Sequence, residues 1–206
     1  MIAGPRAEQI RATRQKVLRA ARDLFLRRGY AGATIGAIAH RAGVSPQTVY
    51  NVIGNKAAVL KAVYDVTLAG DDQPVPMIDR PIAQAIFQAE DPATCLLLYA
   101  RMGREIVERV GPLITVIFVQ GAARDPEVRA FAETIDAERQ RGTAGIAQHI
   151  ADRFGLRDGM EVAEAADILW TLTAPEVLDR LTRRRGWSLD RYERWLATTM
   201  ARSLLP

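Results

Sequence analysis

Apolar residues recur at intervals of three and four along most of the chain, the spacing that places them on one face of an α-helix. From about Glu8 to Arg28, Ile10, Val17, Leu18, Ala21, Leu24 and Phe25 keep this spacing and predict a first amphipathic helix. Ile35, Ile38, Ala39 and Ala42 predict a short second helix, and Val49 with Ile53 a short third. Ala58, Val59, Ala62, Val63 and Val66 carry a fourth from about Asn55 to Ala69. GDDQPVP, from Gly70 to Pro76, cannot continue a helix and marks a boundary. Beyond it a helix follows Pro81 to about Gln88, and Asp91-Pro92 opens a longer one that Gly111-Pro112 is expected to break near Val110. The stretch LITVIFVQGAA is apolar and β-branched and would pass for a buried strand in isolation. It reads as helix because its surroundings are helical and no partner strand exists. Asp125-Pro126 starts a helix to about Phe154. Two more run from about Gly159 to Arg185, with a kink expected at Pro175, and from Ser188 to Leu204. The predicted class is all-α.

The punctuation between the second and third helices is specific. Thr34 is placed to cap the second helix, and Gly43 to end it, since a residue just past a helix C-terminus often needs positive φ. Ser45-Pro46 then supplies a new cap and a proline at the first helical position, where a missing N–H costs nothing. Two helices joined by such a short turn make a helix-turn-helix, whose second member enters a DNA major groove. With Val49 and Ile53 facing inward, Gln47, Thr48, Tyr50 and Asn51 remain on the exposed side. Such groups donate to phosphates or read base edges, and Gln and Asn suit bidentate pairing with adenine. Lys56 opens the fourth helix near the DNA backbone.

Residues 13–60 resemble the N-terminal domain of the TetR family of transcriptional regulators. The resemblance rests on Phe25, Gly29, Tyr30, Thr34, Ile38, Ala39, Ala42, Gly43, Val44, Ser45, Thr48, Val49, Tyr50 and Lys56, which match the family pattern position by position. It implies a homodimeric repressor of a palindromic operator whose variable C-terminal domain binds a small molecule, with Thr34, Ser45, Gln47, Thr48, Tyr50, Asn51 and Lys56 at the DNA. It also implies dimerisation through the last two helices, where WTLTAPEVLDRL and RGWSLDRYERWL resemble the family's bundle-forming region. Val52 and Ile53 depart from the pattern, standing where His or Tyr and then Phe are common, and so does Gly36 inside the second helix. A valine cannot make the phosphate contact of a histidine, and an interior glycine costs about 1 kcal/mol against alanine.

Charge follows the same division. Residues 1–56 hold ten Lys or Arg against two Asp or Glu, and residues 57–206 hold eighteen against twenty-two. The positive excess lies where a polyanion would be met. Residues 1–56 are therefore expected to form the DNA-binding domain, with residues 1–7 loose and Arg6, Arg11 and Arg14 near DNA, and residues 57–206 the effector-binding and dimerisation domain. Cys95 alone cannot form an intrachain disulfide and reads as a buried small hydrophobe. No apolar run suits a membrane span or signal peptide, so a cytoplasmic protein without a membrane partner is expected. No nucleophile elbow, phosphate loop or zinc motif is present, and His40 and His149 are too few for a metal site, so neither enzyme activity, cofactor nor metal is expected. For a largely apolar effector the candidates are Phe87, Tyr99, Met102, Phe118 and Trp170, because pockets between helices are lined that way. Two other readings stay open: a sequence-tolerant architectural DNA binder, and an all-α ligand-binding protein or enzyme with a weakened DNA-binding domain.

Overall fold

The computed structural model describes residues 5–70 and 75–206, all of them in helices, turns and connecting segments with no strand. The core of the boundary expected at Gly70–Pro76, residues 71–74, and the first four residues of the expected loose arm lie outside the described residues. The chain forms two compact units, Met1–Gln73 with Arg109–Glu133, and Pro74–Glu108 with Thr134–Pro206.

In the first unit α1, Pro5–Gly32, packs against α2, Ile35–Ala42, α3, Pro46–Val52, and α4, Lys56–Ala69. The helix already runs from Pro5, where a loose segment to residue 7 is expected from sequence. Gly29 interrupts its last turn with φ 67° and ψ 179°. Val17, Ala21, Leu24, Phe25, Ile38, Val49, Val59 and Leu60 are buried and form the core. All but Leu60 are positions the three-and-four spacing selects, whereas Ile10, also selected, is 50% exposed because it lies in the first turns of α1 before the helix meets its neighbours.

The first unit also takes in residues far along the chain. Helix α6, Pro92–Ile114, belongs to it from Arg109 onward, continues as wider π-helical turns over Thr115–Gly121, and packs there against α1. Thus Gly111-Pro112 does not break the helix. Pro112 is exposed, as is Glu108 one turn earlier, so the carbonyl that proline leaves without a donor lies on the solvent face rather than in the core. The apolar stretch after it is helical as expected, with Leu113, Val116 and Ile117 buried. Asp125 then caps α7, Pro126–Phe154, accepting from the backbone N–H groups of Glu127 and Val128 at 3.0 and 3.4 Å.

The second unit comprises α5, Pro81–Gln88, the first part of α6, the rest of α7, then α8, Val162–Leu172, α9, Pro175–Asp179, and α10, Leu189–Leu204. Its core gathers Ile86, Cys95, Leu96, Ala100, Ile146, Ile150, Leu169, Leu196 and Met200. Burial pushes the Cys95 thiol up to about 11, in keeping with a packing role. Pro175 ends one helix and starts another instead of kinking a single one. Ala174 before it is extended, with φ −62° and ψ 136°, because the proline ring disfavours helical backbone in the preceding residue. Glu193 of α10 is buried yet satisfied, accepting from Arg104 at 3.0 Å and Arg101 at 3.5 Å. No helix among the described residues is long and apolar enough to cross a membrane.

Candidate nucleic-acid interface

Both caps of the helix-turn-helix form as the residue types dictate. Thr34 Oγ1 accepts from Ala37 N at 3.1 Å, and Ser45 Oγ accepts from Thr48 N at 3.1 Å. Between them Gly43 takes φ 68° and ψ 37°, and the N–H groups of Gly43 and Val44 return to the carbonyls of His40 and Ala39. This left-handed residue turns the chain through the tight corner that sets α3 against α2. Ile38 and Ala39 on α2 and Val49 on α3 are sealed in the core. An ion pair of 2.8 Å from Arg41 to Asp23 further ties α2 to α1.

With Val49 fully buried, the opposite side of α3 is open. Tyr50 is 50% exposed, Gln47 and Asn51 are exposed, and Thr48 is half-buried. Gln47 Nε2 donates to Asn51 Oδ1 at 2.9 Å, one turn apart, so the two amides present a joined edge of donors and acceptors. The hydroxyls of Ser45 and Thr48 are 2.9 Å apart at the start of the same helix. Lys56 is placed less freely. Its Nζ lies 4.0 Å from the centroid of the Tyr30 ring, and desolvation lowers its pKa against the opposing pull of Asp125. Residues 17–63 match the family model of bacterial regulatory proteins, tetR family.

The helix-turn-helix unit thus matches the TetR family's DNA-binding region. The chain is 25% identical over 178 residues to the uncharacterized HTH-type transcriptional regulator YdeS of Bacillus subtilis (strain 168), covering 83% of this chain and 84% of that relative. Its fold is similar to that of NalD, the secondary repressor of the MexAB-OprM multidrug efflux pump in Pseudomonas aeruginosa, with a TM-score of 0.69 at 22% identity, covering 95% and 97% of the two chains. It is likewise similar to the transcriptional regulator FadR from Bacillus subtilis in complex with stearoyl-CoA, with a TM-score of 0.69 at 16% identity, covering 90% and 96%.

The five effector candidates are divided between the two units. Phe118 lies in the first unit and is 40% exposed, whereas Phe87, Tyr99, Met102 and Trp170 lie in the second. Tyr99 is buried on α6, and burial pushes its hydroxyl up to about 12 against the opposing effects of Thr173 and Arg139. The Arg139 guanidinium also sits 5.6 Å from the Trp170 ring centroid and donates to the Trp170 carbonyl at 3.1 Å. The indole Nε1 of Trp170 is buried and finds no partner among the described residues. Phe87 meets the edge of His149 at 4.9 Å, and burial lowers the His149 pKa. Half-buried Met102 packs on the same core. Arg139 and His149 were not foreseen. Helical spacing places them on α7 but cannot show which partner from α5, α6 or α8 each one meets.

Proposed function

We propose that this TetR-family transcriptional regulator is a repressor that binds a palindromic operator as a homodimer, reading bases through α3, and is released by a small-molecule effector. The observation that carries the reading is α3 itself. It is capped by Ser45, anchored by fully buried Val49, and open along Gln47, Tyr50 and Asn51. In this reading residues 1–56 contact DNA, with Thr34, Ser45 and Thr48 at phosphates, Gln47, Tyr50 and Asn51 at base edges, and Lys56 at the backbone. Residues 57–206 dimerise, through the last two helices, and hold the effector.

Two recognition helices fill successive major grooves when they sit about 34 Å apart, one turn of B-DNA. An effector releases the operator when it binds better to a state in which that spacing is lost, and affinity without such preference shifts nothing. Phe87, Tyr99, Met102 and Trp170 supply the apolar lining, while Arg139 and the unpartnered Trp170 Nε1 favour an effector that carries an acceptor group. The complex of the similar FadR with stearoyl-CoA and the repressor role of the similar NalD support a ligand-released repressor.

Recovering preferred DNA from a random pool, with binding measured at several salt concentrations, tests the proposal. An enriched palindrome bound by a dimer is the expected result. Binding without enrichment would replace it with an architectural role, and ligand binding without DNA binding would leave a small-molecule-binding protein.

A further inference from the structure

The first unit includes the later stretch Arg109–Glu133, whose side chains reach both flanks of the helix-turn-helix. Tyr30, at the exit of α1, donates its hydroxyl to Asp125 Oδ2, and its backbone N–H donates to Gln120 Oε1 at 3.1 Å. A Cβ on the preceding Gly29 would collide with that same Gln120 oxygen, so the chain passes closest to Gln120 where side-chain bulk is absent. At the other end, Asn55 Nδ2 donates to Glu127 Oε2 at 2.9 Å.

Asp125 and Asn55 each serve two helices. Asp125 Oδ1 caps α7 while Oδ2 holds Tyr30, and Asn55 Oδ1 caps α4 at 2.9 Å while Nδ2 holds Glu127. The cap of α4 is therefore joined to the first turn of α7, and the cap of α7 to the exit of α1. The Tyr30 ring stacks on Phe25, with centroids 6.1 Å apart, and carries Lys56 Nζ, so the exit of α1 and the start of α4 share this anchor. Only Ile53, Gly54 and Asn55 separate the end of α3 from α4. Where α4 begins decides where α3 can end.

We propose that Asp125 and Glu127 are positioning residues for DNA reading. They touch no DNA, but fix the exit of α1 and the start of α4, and so the pose of α3. This inference rests on the reading of α3 as the recognition helix.

The test uses the full chain and the operator recovered from the random pool. Glu127 is exposed, so Glu127→Ala removes an acceptor without opening the core, and it is expected to lower operator affinity roughly two- to tenfold, the range of one lost hydrogen bond. Glu127→Gln keeps an acceptor for Asn55 and is expected to restore affinity. Tyr30→Phe and Asp125→Asn are each expected to weaken operator binding by a similar factor, and the double variant to be no weaker than the worse single one. Affinity for random DNA should change less. The salt dependence should keep its slope, because no phosphate contact is removed. Unchanged operator affinity in Glu127→Ala, failure of Glu127→Gln to restore it, or a shallower salt slope would overturn the positioning role. If the wild-type chain enriches no operator, the DNA-reading assignment falls and this inference with it, whereas operator binding untouched by all four variants removes this inference alone.

Discussion

In the proposed reading, Gln47 and Asn51 of α3 read bases while Lys56 of α4 holds the DNA backbone. Gln47 and Asn51 are bonded to each other at 2.9 Å, so reading an adenine edge requires them to exchange that bond for the base. Gln47→Ala or Asn51→Ala is expected to cost about 1–3 kcal/mol of operator binding and to relax base preference. Lys56→Ala should instead weaken binding to all DNA alike and lower the salt slope by about one. Equal losses on cognate and random DNA for all three variants would remove this division of roles. Because Lys56 Nζ also rests on the Tyr30 ring, its replacement should lower thermal stability by roughly 0.5–1 kcal/mol as well.

A short helix such as α2 depends heavily on its ends and on every backbone propensity within it. Gly36 is exposed there, and a Cβ would meet nothing nearer than Thr34 Oγ1 at 4.0 Å. Gly36→Ala is therefore expected to raise stability by roughly 0.5–1 kcal/mol. Gly43 is equally open, with nothing within 4 Å of an added Cβ, yet its φ of 68° is strained for any side chain. Gly43→Ala should lower stability by about 1–2 kcal/mol, and chemical denaturation of the two variants side by side separates backbone strain from crowding. Between α6 and α10, Glu193 joins two arginines from within the core. Glu193→Ala leaves half-buried Arg104 with Asp190 alone, at 2.7 Å, and should cost about 1–3 kcal/mol of unfolding free energy.

Across the whole molecule, Tyr30, Tyr99 and Tyr192 make stability sensitive to alkali. Burial, and for Tyr30 also the bond to Asp125, raises Tyr30, and burial pushes Tyr99 and Tyr192 up to about 12 from the ordinary 10.0. A group whose pKa is higher in the folded chain stabilises it fully below the unfolded value and loses that contribution as pH climbs toward the folded one. Unfolding free energy should thus fall between pH 10.0 and about 12, with tyrosinate absorbance of a Tyr50→Phe variant, which lacks the exposed phenol, rising late and together with unfolding. Early tyrosinate formation in that variant while it stays folded would contradict the burial of these hydroxyls.

Much of this architecture is written in short-range pattern. The three-and-four spacing, Thr34, Gly43, Ser45-Pro46 and Asp125-Pro126 act through bonds a few residues long, so the sequence by itself determined the all-α class, the helix-turn-helix, its caps and the face of α3 left open. Gly111-Pro112 and Pro175 show where local rules were insufficient. A proline's effect depends on whether the carbonyl it strands faces solvent or core and on how the next turn is packed. Only the tertiary structure decided that residues 109–133 join the unit that holds the helix-turn-helix, that Phe118 falls in a different unit from the other effector candidates, and that Tyr30 meets Asp125 and Asn55 meets Glu127. The physical reason is separation. A cap satisfies a backbone group within its own turn and is legible there. The second polar atom of the same side chain bonds whatever folding brings from 72 or 95 residues away, and no spacing along the chain encodes that partner.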